Sequence, residues 1–117
     1  MGQEYTGEER RRWPRINANF VVSYRIQEIP DGYDLSQTKD ISQGGVLITT
    51  NKPFAIGTHL VMLLRIPFVP QKIEIAGEVV ASNEMVRDLI YTTRVRFLGL
   101  SSDFFEKLGE FIKKSLK

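Results

Sequence analysis

The chain has 117 residues, a hydrophobic fraction of 42% and a formal net charge of +2; this suffices for one domain with one core and is too apolar for wholesale disorder. It contains no cysteine and a single histidine, His59, which excludes disulfides, thiolate metal centres, cysteine nucleophiles and metal sites built on several histidines. The longest apolar run, residues 60–64, falls far short of the roughly 18 residues that a membrane-spanning helix needs. Residues 1–9 are polar and lack the apolar segment of a secretory signal, so a cytoplasmic protein without membrane insertion is expected.

Residues 1–16 read as a flexible basic arm. Arg10, Arg11, Arg12 and Arg15 crowd into six positions, and like charges at that density resist regular structure. Trp13 and Pro14 interrupt the arm with one bulky anchor and one fixed φ angle. The folded domain is expected over residues 17–117. Phe20, Val22, Tyr24 and Ile26 alternate with polar or smaller residues, the pattern of a half-buried strand. Pro30-Asp31-Gly32 is a turn, and residues 35–41 form a weaker, more polar strand. Gly44-Gly45 punctuates, and the β-branched residues 46–50 form the third strand. Further strands follow at residues 59–66, 73–81 and 91–97, with residues 82–90 read as a polar connection. Six short strands without intervening helices predict an all-β fold, an antiparallel six-stranded β-barrel closed to remove its edges.

The last element is a C-terminal α-helix. Asp103 and Glu106 have capping-box spacing with Asp103 in the cap role. Phe104, Phe105, Leu108, Phe111, Ile112 and Leu116 fall on one stripe. Gly109 weakens this helix by about 1 kcal/mol relative to alanine.

Catalysis finds no support: His59 starts an apolar strand, acidic residues are scattered singly, and no glycine-rich phosphate loop leads into a helix. The chain reads as a binding module, neither an enzyme nor a metalloprotein. Two features stand out. Arg11 and Arg15 form the one Arg-x-x-x-Arg pair, and arginine offers a planar fork that fits phosphate oxygens and the O6/N7 edge of guanine. Taken alone, the pair is a solvated basic tail. Asp40-Ile41-Ser42-Gln43-Gly44-Gly45 sits between two strands. Alone it is an ordinary turn; functionally, Asp40 accepts from the N1 and N2 hydrogens of guanine, Ser42 adds a hydroxyl, and Gly44 and Gly45 allow close backbone approach to a ligand.

The conjunction is more specific than either part. An arginine pair before the first strand and an Asp-x-Ser-x-x-Gly at the next strand junction, on a six-stranded barrel with a final helix, resembles the PilZ family from Glu9 to Leu116. The resemblance implies a bacterial receptor for cyclic di-GMP, with Arg10, Arg11, Arg15, Asp40, Ser42, Gly44 and Gly45 as ligand-binding residues and no cofactor. It also implies a helix that covers an open end of the barrel. An arginine at position 10 goes with two stacked ligand molecules per chain. Output would pass through an effector protein that the sequence does not identify. The competing reading is a single-stranded nucleic-acid binder with a basic arm; it is disfavoured because the strand aromatics Phe20, Tyr24, Tyr91 and Phe97 alternate toward the expected core.

Overall fold

The computed structural model describes residues 13–116. Arg10, Arg11, Arg12 and most of the basic arm lie outside the described residues. Among the described residues, seven strands and one helix follow in chain order: β1 (Ile16–Asn17), β2 (Val21–Ile26), β3 (Asp34–Ile41), β4 (Gly45–Thr50), β5 (His59–Leu64), β6 (Ile73–Val86), β7 (Ile90–Leu98) and α1 (Ser102–Ser115). The hydrogen-bonded order is β1-β3-β2-β5-β6-β7-β4, and a β3–β4 pairing closes it. All pairings are antiparallel. Strands β2 to β7 make the six-stranded barrel expected from alternation, and β1 is an additional strand.

β1 and β2 lie one after the other along the same edge of β3. Ile16 pairs with Ile41 and Asn17 with Asp40, and then Val21 to Tyr24 pair with Gln37 to Asp34. The chain leaves the ladder between them, and the fully buried Thr38 fills the break. Its hydroxyl donates to the Ala18 carbonyl and accepts from the Phe20 N–H at 2.9 Å. The Ala18 carbonyl and the Phe20 N–H are thereby satisfied.

β6 runs past the expected end at residue 81 to Val86, so part of the predicted connection is a hairpin arm. Register shifts between Val79 and Ala81 and between Glu84 and Val86 break the period-two pattern. Asp88 turns the hairpin at φ 58°, a conformation that a short polar side chain tolerates, and its N–H bonds the Glu84 carboxylate at 2.8 Å.

The inward residues Val22, Tyr24, Ile41, Val46, Ile48, Leu60, Met62, Leu64, Ile75, Val79 and Val95 form one core cluster, which α1 joins through Phe104, Leu108 and Ile112. Burial, reinforced by Asp34, pushes the Tyr24 phenol above its ordinary value and keeps it protonated. Phe111 lies between Phe20 and Phe68, with ring centroids at 6.0 and 5.2 Å. Ser101, and not Asp103, is the N-cap: its hydroxyl accepts from the Phe104 N–H at 3.1 Å. Three cap-competent residues stand in a row, and the helix begins after the first. Asp103 sits in the first turn instead, 3.3 Å from Lys107. Leu116 is the C-cap and is 55% exposed, so it leaves the buried stripe. Among the described residues, no helix is long and apolar enough to cross a membrane.

Leu108→Ala is expected to cost about 2–5 kcal/mol, the range for a leucine truncated in a packed core. Leu116→Ala is expected to change stability by less than about 0.5 kcal/mol. Denaturant titration of the two variants measures the contrast, and equal losses would contradict the packing of α1 on the barrel.

Candidate functional site

The site is built around the β3–β4 turn. Thr38 and Ile41, three residues apart, are both fully buried; the register shift between Thr38 and Asp40 breaks the two-residue period and leaves Asp40 facing outward beside the inward Ile41. Ser42 then organises the turn. Its N–H donates to the Gly45 carbonyl at 2.9 Å, and its hydroxyl accepts from the N–H groups of Gly44 at 3.0 Å and Gly45 at 3.2 Å. A serine oxygen that gathers nearby backbone amides is a common way to hold a tight turn.

Three other parts of the molecule meet this turn. A Cβ on Gly45 would stand 2.3 Å from the Val95 carbonyl oxygen, so β4 lies against β7 only with glycine there. A Cβ on Gly44 would stand 2.6 Å from Cδ1 of Trp13. The Trp13 indole occupies that space and meets Phe105 of α1 edge-on, at 5.2 Å and 84°. Gln43 reaches the helix: its amide donates to the Phe105 carbonyl at 2.9 Å. Gly109 makes room for that amide, since a Cβ there would lie 2.4 Å from the Gln43 nitrogen.

Asp40 has a partner that sequence reasoning missed. Arg94 Nη1 donates to Oδ1 at 2.6 Å and Nη2 donates to Oδ2 at 3.1 Å. The strand register explains the pairing. Asp40 stands opposite Leu47 on β4, and Leu47 stands opposite Arg94 on β7. The guanidinium therefore reaches across β4, a span of about 9.5 Å at two strand spacings. The Arg94 and Asp40 side chains are 23% and 14% exposed, so the ion pair is partly shielded from water.

Asp40, Ser42, Gly44 and Gly45 thus form one continuous feature. Arg15 stands just before β1, whose Asn17 pairs with Asp40, so the arm enters the barrel beside the carboxylate. Arg10 and Arg11 lie outside the described residues. The space beside Gly44 and Gly45 is taken by Trp13 and by the β7 backbone. The alternation on β7 marks Arg94 as outward-facing, but its partner emerges only from the strand order β3–β4–β7. His59 is exposed at the start of β5, in register with Glu78 and apart from this cluster. Tyr24, Tyr91 and Phe97 are buried and leave no ring face for a stacked base.

A sequence profile described as PilZ domain matches residues 9–114. Among curated proteins, none matches the chain. Among solved structures, the inhibitor of motility MotI/DgrA of Bacillus subtilis superposes with a TM-score of 0.75 at 15% identity, over 91% of this chain and 51% of that one. MrkH of K. pneumonia, solved in complex with c-di-GMP, gives a TM-score of 0.68 at 20% identity, over 91% of this chain and 52% of that one. The PilZ domain of YcgR from Escherichia coli, solved with c-di-GMP, gives 0.66 at 19% identity, over 90% of both chains. The chain spans about half the length of the MotI/DgrA and MrkH chains. At these identities the likeness is one of fold.

Gly45→Ala is expected to lower stability by about 1–3 kcal/mol or more, because the opposing atom is backbone and cannot rotate away. Gly44→Ala is expected to displace the Trp13 ring at a smaller cost and to shift its fluorescence to the red. Denaturant titration and emission spectra of the two variants separate these outcomes. An unchanged Trp13 spectrum in the Gly44 variant would contradict the seat described for the indole.

Proposed function

The chain belongs to the PilZ domain family, and on that premise we propose that it is a receptor for cyclic di-GMP whose arginine arm closes over the ligand and alters contact with a partner protein. The observation that carries this reading is the seat of Trp13 against Gly44 and Phe105. Trp13 stands midway between Arg11 and Arg15. The arginine pair therefore straddles a residue held on the turn that follows Asp40 and Ser42. Arginine forks suit the ligand's phosphates and the O6/N7 edge of guanine, and the Asp40 carboxylate suits the N1–H and N2 amine of the base. Ser42 and the two glycines shape the turn that carries these groups.

The module binds and does not catalyse. Arg10 adds a third guanidinium, which offsets the four phosphates of two stacked ligand molecules, so two molecules bind per chain. Trp13 touches α1 through Phe105, and Gln43 ties the turn to the same residue. A change in the arm on ligand binding is passed to the helix by these contacts and read by an effector protein. As the reader of an intracellular messenger, the protein works in the cytoplasm.

Calorimetric titration tests this function. Cyclic di-GMP is expected to bind at least about 100-fold more tightly than cyclic di-AMP, because adenine offers no donor pair to Asp40. Arg11→Ala and Arg15→Ala are each expected to weaken binding by about 1.5–3 kcal/mol, the range for a hydrogen bond to a charged group. Wild type is expected to bind two molecules and Arg10→Leu one. Comparable affinity for cyclic di-AMP contradicts the role of Asp40, and one molecule per wild-type chain contradicts the role of Arg10.

A further inference from the structure

The carboxylate proposed to read guanine is already occupied. Arg94 presents two parallel donors, Nη1 to Oδ1 and Nη2 to Oδ2, at 2.6 and 3.1 Å. They take both oxygens along the open edge of Asp40. Guanine offers the same pattern, since its N1–H and N2 amine are also parallel donors that need both oxygens from one edge. The remaining carboxylate lone pairs point apart, on the outer sides of the two oxygens, and cannot receive two parallel donors. Guanine and Arg94 therefore exclude one another at Asp40.

Resting on the receptor reading above, we propose that Arg94 sets the affinity for the guanine ligand by masking Asp40 in the free protein, and that guanine binds by displacing it. Arg94 comes from β7, on the far side of β4 from Asp40, so the mask is held by the barrel and not by the arm. When guanine takes the carboxylate, its two donors replace those of Arg94, and the released guanidinium carries its charge toward an anionic ligand. The apparent affinity is the intrinsic affinity reduced by the fraction of molecules in which Asp40 is unmasked. A ligand with adenine in place of guanine leaves the pair closed and gains nothing from Asp40. Removing the mask therefore raises affinity for the guanine ligand and widens its margin over the adenine ligand.

Arg94→Lys isolates this effect. Lysine keeps the positive charge but is a compact single centre that cannot cover both oxygens. Arg96→Lys is the control: Arg96 is two residues along β7 and pairs with Glu78. Calorimetry with cyclic di-GMP is expected to show about tenfold tighter binding for Arg94→Lys, as when about one molecule in ten is unmasked. Cyclic di-AMP binding should be unchanged, and Arg96→Lys should match wild type for both ligands. Should Arg94→Lys fail to fold, Arg94→Gln also lacks the fork and is read the same way against Arg96→Gln. Equal or weaker binding of cyclic di-GMP by the Arg94 variant, with wild type binding normally, overturns the mask alone. Absence of binding by wild type overturns the receptor reading, and the mask with it.

Discussion

Two missing side chains, at Gly44 and Gly45, hold the β3–β4 turn against Trp13 and β7. Any Cβ at Gly45 would run into the backbone of β7, and any Cβ at Gly44 would run into the Trp13 ring. β4 lies against β7, and Trp13 seats on the turn, because nothing fills those two positions. The Phe97 N–H donates to the Gly44 carbonyl at 2.9 Å, which ties the turn to β7 by its other face. Ser42 supplies the hydroxyl that fixes the turn's own amides. The helix obeys the same steric logic. Gly109 weakens α1 by about 1 kcal/mol relative to alanine, and the Gln43 bond that it admits contributes about 0.5–1.5 kcal/mol in return.

The charges around this turn are arranged by strand order. Asp40 and Arg94 come from strands that are not adjacent, and β4 lies between them. Arg96 and Glu78 pair across adjacent strands of the same barrel, with Arg96 far more exposed than Arg94. A bidentate pair shielded from water keeps its geometry better than an exposed one. Asp40 is thus held in one orientation by Arg94. The arm brings a different kind of charge. It carries four arginines within six residues, a concentration of like charge.

Much of the barrel is legible in the sequence because its strands are buried on one face. Val22 and Tyr24, Leu60, Met62 and Leu64, and Ile75 and Val79 are inward at every second position. Where that asymmetry fails, so does the reading. Residues 82–86 extend beyond the covered part of the sheet and carry a register shift, so neither period nor composition marks them as strand. Ile16–Asn17 is too short to show a period. The start of α1 is not legible because Ser101, Ser102 and Asp103 are all competent caps and only the helix geometry chooses. At the site, Asp40, Ser42, Gly44 and Gly45 are contiguous and announce a turn. The contacts of Arg94, Trp13 and Gln43 span 54, 92 and 62 residues along the chain. Such pairings are products of topology and have no local signature.

In the proposed reading, the arginine motif and the Asp40–Gly45 turn form one ligand site. Amide and indole chemical shifts recorded by nuclear magnetic resonance during titration with cyclic di-GMP test it most directly. The largest changes are expected on the Trp13 indole, Arg15, residues 40–45 and Arg94. Little change is predicted at the opposite pocket lined by Tyr24, Leu35, Leu89 and Ile90. Changes centred on that pocket, or confined to the arm with residues 40–45 silent, would contradict it.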